Sequence, residues 1–181
     1  GMELPQRDRQ SAERAREEAS LIDVMEMAAQ FFREKLAGGV GAEARAYLER
    51  RGVKRETIER FGLGYAPEDR YALLRHMKAK GIGIEQMAEA GLIISGADIP
   101  EPYDRFRNRL MFPISDARGR TIAFGGRALD AAAKAKYLNS PETPLFHKGR
   151  VLYNLHRARK PAHDGGAVIA VEGYVDVIGM A

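Results

Sequence analysis

The 181-residue sequence predicts an α+β chain, with N-terminal helices, a small antiparallel or mixed sheet, and then the first strand and helix of an α/β unit. Three observations carry this reading. Leu21, Val24, Met25, Ala28, Phe31, Phe32 and Leu36 recur at three- and four-residue spacing, the pattern of an amphipathic helix. Residues 110–115 and 121–129 bracket Asp116-Ala117-Arg118-Gly119, a hairpin signature. The apolar run 167–171 ends at Glu172-Gly173, and a helical pattern follows.

Each element can be placed in order. Residues 1–18 are strongly charged, with only Met2 and Leu4 as large apolar side chains, and read as a linker or the exposed start of a helix. Gly38-Gly39-Val40-Gly41 ends the first helix. A second spans 42–51 with Gly52 just past its end, and a third spans 55–61, closed by Gly62 and Gly64. Pro67, Glu68 and Asp69 start a fourth, which turns Tyr71, Leu74 and Met77 inward and stops at Gly81. Residues 84–90 form a fifth before Gly91, and 92–94 a short strand. Pro113 marks an edge or bulge in the first hairpin strand, since it lacks an N–H for the ladder. Residues 152–160 are helical, and 167–171 a buried strand. There is no internal repeat. The chain divides into a linker and first helix (1–40), a subdomain (41–165) and the start of a second unit (166–181).

Composition narrows the function. Hydrophobic residues at 45% and charged residues at 30% suit a globular chain, and no apolar run is long enough to cross a bilayer. The absence of cysteine excludes disulfides, a zinc ribbon and a thiol nucleophile from these residues. Charge is unevenly spread. Residues 104–160 hold 13 Lys/Arg against 4 Asp/Glu, while the remainder holds 16 against 21. Such polarity brings a polyanion to one face, or makes a solvated basic surface. Gly1-Met2 reads as the trace of a protease cut and the final helix has no stop signal, so the chain is expected to be a piece of a longer protein.

Four constellations could carry chemistry. In Tyr103-Asp104-Arg105-Phe106-Arg107-Asn108-Arg109, an extended backbone would set Arg105, Arg107 and Arg109 on one face and Phe106 on the other. Those guanidiniums take phosphate, or pair with the local carboxylates Asp104 and Asp116; carboxylates are too few to neutralise all the bases. Phe124-Gly125-Gly126-Arg127 allows close approach of a backbone or ligand, or marks a bulge. Lys136, Tyr137 and Asn139 offer a cation, a ring and an amide to a nucleotide or single strand, or form an ordinary loop with Tyr137 in the core. His147, between Phe146 and Lys148, reads as structural or as a phosphate contact, and the four histidines lack metal-ligand spacing. Finally, Glu172 at a strand end and Asp176 four residues on could face one point and share a cation, magnesium above all.

Taken together and in this order, these segments resemble the bacterial DnaG-type primases. The resemblance rests on Tyr47-Leu48 to Arg51-Gly52, on Phe61-Gly62-Leu63-Gly64-Tyr65-Ala66-Pro67 and on residues 103–113. It continues through 124–127, Lys136-Tyr137-Leu138-Asn139-Ser140-Pro141-Glu142-Thr143, 146–150, Leu152-Tyr153 and 171–177, covering roughly residues 20 to 181. It implies that the front subdomain carries a basic track for single-stranded DNA template and the RNA–DNA hybrid. Arg51, Arg105, Arg107, Arg109, Arg127, Lys136 and Lys148 would lie along it, with Asn139 in the template loop. Lys136, Tyr137 and Asn139 would also meet ribonucleoside triphosphates. Residues 166–181 would open a Toprim domain, with Glu172 catalytic and Glu172 and Asp176 holding Mg2+ or Mn2+. The family makes short RNA primers during replication by metal-dependent nucleotidyl transfer. Its Zn2+ domain would precede Gly1, its Asp-x-Asp metal pair would follow Ala181, and its helicase-binding region would lie further on. The chain alone is therefore expected to bind nucleic acid without polymerising, in a cytoplasmic protein working at replication forks with no membrane partner. The alternatives are a non-catalytic single-strand-binding module and another Toprim protein, although the basic front subdomain argues against a topoisomerase.

Overall fold

The computed structural model describes the backbone of residues 6–181 and the side chains of residues 16–181; Met2 and Leu4 of the expected linker lie outside the described residues. The expected periodicity becomes one long helix, α1 (Gln6–Ala37), which takes in most of the expected linker and buries Leu21, Val24, Met25, Ala28, Phe31, Phe32 and Leu36. A 3-10 turn (Gly39–Gly41) leads to α2 (Ala42–Arg50) and then α3 (Arg55–Phe61). Gly52 and Gly62 follow the helices with φ of 70° and 62°, left-handed values that favour glycine.

Next come β1 (Gly64–Ala66), α4 (Ala72–Ala79), α5 (Ile84–Glu89), β2 (Ile93–Ile94), β3 (Tyr103–Asp104), β4 (Arg109–Ser115), β5 (Thr121–Ala128) and β6 (Tyr137–Asn139). The four-stranded antiparallel sheet has the order β1-β4-β5-β6, and β2 pairs with β3 in a separate ribbon. The expected hairpin is present. Asp116 Oδ1 accepts the backbone N–H groups of Arg118 and Arg120 at 2.8 and 3.0 Å, and its other oxygen pairs with Arg120. β1 reaches only residues 109–111 of β4, so Pro113 lies where one side of the strand is free, beside a register shift at Ile114/Ser115.

The two faces of the sheet are covered differently. Met111, Phe124 and Leu138 join α1, α4 and α5 in the main core, with Phe32 and Phe124 edge to face at 5.2 Å. Leu110 and Phe112 face α2, α3 and, at the far end of the chain, α7 (Tyr174–Met180).

Several expectations are corrected. The fourth helix starts at Ala72, because Asp69 caps a turn through the N–H of Tyr71 at 2.9 Å rather than opening the helix. β1, β3 and β6 are strands that periodicity could not reveal at two or three residues each. The helix expected at 152–160 is α6 (Leu155–His163), and it runs through Pro161. Residues 167–171 do not form a buried strand. No ladder partner meets them among the described residues, and without one an apolar run stays unburied, with Val168 and Ile169 67% and 62% exposed.

Candidate nucleic-acid interface

The face of the sheet opposite α1 gathers Arg51, Arg127, Tyr137 and Asn139 of the residues singled out from the sequence. Antiparallel register aligns Phe112, Gly125 and Asn139 in one row across β4, β5 and β6. Two residues along, Leu110, Arg127 and Tyr137 form a parallel row. Side chains two apart on a strand share a face, so Arg127, Tyr137 and Asn139 emerge together.

Tyr174, at the first turn of α7, lies across the first row. Its ring stacks on Phe112 at 5.0 Å between centroids with the planes 12° apart, and meets Tyr153 edge to face at 4.9 Å. Its hydroxyl donates to Asn139 Oδ1 at 2.8 Å. A Cβ on Gly125 would stand 2.5 Å from ring atoms of Tyr174. The close approach expected at the Gly-Gly pair is therefore to an internal tyrosine. Gly126 serves the other face, where a Cβ would crowd Arg109 and Phe106 at 3.0 Å each. Burial, and next the nearby Tyr137, raises the pKa of the Tyr174 hydroxyl, which keeps it a donor.

Tyr47 supports the basic residues of this face. The Arg127 guanidinium lies 4.3 Å from its ring centroid and that of Arg51 5.7 Å, while Arg51 Nε donates to the Tyr47 hydroxyl at 3.0 Å. That hydrogen bond and the charge of the same tyrosine raise the pKa of Arg51, with smaller contributions from Tyr137 and Asp176. Arg127 Nε is buried without a hydrogen-bond partner, and Nη1 donates to Ala128 O at 3.0 Å.

The arginine row is not one extended face. Residues 105–108 form a loop between β3 and β4, with Asn108 at φ 48°. Phe106 is buried, as expected. Arg105 donates to Asn139 O from Nε and Nη2 at 3.3 and 3.1 Å, and Arg109 to Gly126 O and Ala135 O at 3.1 and 3.0 Å. Burial lowers the pKa of Arg105 and, with the neighbouring Arg107, that of Arg109. A guanidinium keeps its proton in such settings, so Arg105 clamps the end of β6 and Arg109 ties β5 to the β5–β6 loop. Neither Asp104 nor Asp116 neutralises them. Asp104, 2% exposed, accepts the N–H groups of Leu73 and Leu74 at the start of α4, and Asp116 holds its own hairpin turn.

Lys136 is exposed in the loop before β6. Lys148 stands apart on a 3-10 turn (Lys148–Arg150), where its N–H is held by Glu142 Oε1 at 2.9 Å. Its neighbours His147 and Arg150 line a cleft of about 290 Å3 with Ile122, Leu145 and Leu155. His147 Nδ1 meets Glu142 at 2.9 Å, in keeping with a structural role.

Glu172 and Asp176 are both exposed around the turn into α7. Asp176 folds back over Gly173, where a Cβ would stand 2.6 Å from Oδ2. Two hard carboxylate donors open to solvent suit a magnesium ion that keeps water and takes phosphate oxygens as its other ligands. Among the described residues, no three His, Asp or Glu side chains converge to enclose one. Sequence reasoning missed Tyr174 and Tyr47, whose only signal was an aromatic beside a charged motif.

Comparison with known proteins shows the family. Residues 31–159 match the family described as the DNA primase catalytic core, N-terminal domain. A DNA primase of Pseudomonas putida is 45% identical over 184 residues, covering 100% of this chain and 28% of its own length. The RNA polymerase domain of Mycobacterium tuberculosis primase DnaG, in complex with a double-stranded DNA oligomer bearing a 6-nucleotide overhang, superposes with a TM-score of 0.83 at 36% identity, covering 90% of this chain and 50% of that one. A DnaG primase catalytic domain bound to single-stranded DNA gives 0.80 at 40% identity, covering 92% and 51%. The chain thus spans less than a third of that curated relative and about half of those solved chains. With residues 31–159 matched over the sheet and its helices, the chain belongs to the DNA primase catalytic core N-terminal domain family.

Proposed function

We propose that this chain is the template-binding front of a DNA primase that makes short RNA primers on single-stranded DNA. The observation that carries the proposal is the row Arg127–Tyr137 beside Asn139, with Arg51 and Arg127 on the Tyr47 ring. It sets cations beside a partly exposed ring, which suits a strand whose phosphates are gripped while its bases stack.

Arg51, Arg127, Lys136 and Lys148 would contact the template or the RNA–DNA hybrid, and Tyr137, Asn139 and Lys136 an incoming ribonucleoside triphosphate. Arg105 and Arg109 hold the loop that presents these groups, and Arg107 remains free to meet phosphate. Tyr174 fixes the amide of Asn139 through its hydroxyl, so the oxygen is committed and the NH2 group faces outward as a donor. Glu172 and Asp176 would hold magnesium or manganese, which, when bound, lends Lewis acidity to phosphate oxygens. Glu172 would hold or accept the proton of the attacking 3′-hydroxyl, or ligate the metal directly. A replicative helicase and a zinc-binding domain belong to the whole protein under this reading, together with a Toprim domain opened by residues 166–181, and cytoplasmic work at replication forks.

The test is primer synthesis by the whole protein from ribonucleoside triphosphates on a single-stranded template. Short, template-dependent RNA is expected. A whole protein that binds single strands but makes no RNA would leave only a binding module.

A further inference from the structure

A second cationic cluster lies outside the Tyr47 face. Tyr103 opens β3, and the Arg70 guanidinium lies 4.0 Å from its ring centroid and the Arg107 guanidinium 5.1 Å. Both arginines are exposed, and the tyrosine is half-buried. Among the described residues no carboxylate pairs with either guanidinium. Asp69 pairs with Arg75 and accepts the Tyr71 N–H, Asp104 is buried against the start of α4, and Glu101 accepts the Tyr71 hydroxyl at 2.9 Å. Two like charges on one ring repel unless an anion joins them, and the ring holds both in place before it arrives. Arg105 and Arg109 also clasp Asn139 O, Gly126 O and Ala135 O, which fixes the Arg107 loop against the segment carrying Lys134 and Lys136.

We propose that Arg70 and Arg107, held by the Tyr103 ring, take one backbone phosphate of the single-stranded template after it passes the Lys134–Lys136 loop. This lengthens the template track beyond the residues matched by motif, and adds Arg70 as a contact and Tyr103 as a positioning residue. It rests on the reading that the chain binds single strands.

The experiment is fluorescence anisotropy of the 181-residue chain with labelled oligo-dT of about 6 and about 20 nucleotides, lengths that bracket single-strand site sizes. Arg70→Ala should weaken the long oligonucleotide several-fold and flatten its log–log salt slope by about 0.7, the loss of one phosphate contact. The short oligonucleotide, filled by the Tyr137 face, should bind both proteins alike. Tyr103→Leu should behave as Arg70→Ala does, and Tyr103→Phe, which keeps the ring, as the unaltered chain. Equal affinity and slope for Arg70→Ala and the unaltered chain on the long oligonucleotide would overturn the second contact while leaving the first intact. Failure of the unaltered chain to bind either length would overturn both readings. A free triphosphate is the other anion such a pair could hold. ATP that displaces the long oligonucleotide from the unaltered chain but not from Arg70→Ala would assign the pair to nucleotide and end the template contact.

Discussion

The Tyr174 hydroxyl donates its hydrogen bond to Asn139 Oδ1 across a gap that exists only because residue 125 is glycine. This places the turn that carries Glu172 and Asp176 beside the strand that carries Tyr137 and Asn139. Tyr174→Phe should lower stability by about 1 kcal/mol, the net worth of one hydrogen bond. Gly125→Ala should cost about 1–3 kcal/mol, because the new methyl overpacks against the ring. Urea unfolding of both variants checks the order, and a neutral Gly125→Ala would contradict the contact.

Asp104 supplies a pH signature. Burial pushes its carboxyl pKa up to about 6, against the pull of the Leu73 and Leu74 N–H groups; Asp69 pushes the same way and Arg75 opposes. A carboxyl whose folded pKa exceeds its unfolded value binds more protons when folded, so its contribution is full below about pH 4 and is lost as pH rises through about 6. The stability of the chain relative to Asp104→Asn should therefore fall by about 2–3 kcal/mol from pH 4 to 7. Parallel unfolding curves across that range would show that Asp104 keeps an ordinary pKa.

Binding of single-stranded DNA should be steeply salt-dependent. About six phosphate contacts imply a log–log slope near −4, a loss of about two to three decades between 50 and 200 mM salt. Arg51→Ala with Arg127→Ala should flatten that slope by up to about 1.4. A nearly salt-independent affinity would show that the basic face is merely solvated.

Much of the fold was legible because its elements announce themselves chemically. The apolar stripe from Leu21 to Leu36, Gly52, Gly62, Gly81 and Gly91 past helix ends, and the Asp116–Gly119 turn all state local physics. β1, β3 and β6 were not legible, since two or three residues carry no period. The strand expected at 167–171 shows the converse: apolar residues predict burial only where a ladder partner is present. At the site, the residue types were readable but their pairings were not. The sequence suggested that Arg105, Arg107 and Arg109 act alike, yet two of them grip backbone carbonyls and one lies over the half-buried Tyr103 ring. Tyr47 and Tyr174 were invisible as organisers because Arg127, on the Tyr47 ring, and Asn139, on the Tyr174 hydroxyl, lie 80 and 35 residues away in sequence.

The 181-residue chain should incorporate no ribonucleotide by itself. Among its described residues no three His, Asp or Glu side chains converge to enclose a metal, and magnesium requires a near-octahedral set of oxygens that Glu172 and Asp176 alone would not supply. Labelled product above a mock-purified control would contradict this.

The central claim, that this face presents template to a metal-dependent nucleotidyl transfer at Glu172, is tested most directly by Glu172→Gln in the whole protein. Glutamine keeps the volume and removes the charge of an exposed side chain, so melting temperature and single-strand affinity should not change. Primer synthesis should fall by about 10² or more, a loss of about 3 kcal/mol in transition-state stabilisation. A Glu172→Gln protein that binds template normally and primes at a near-normal rate would contradict the account.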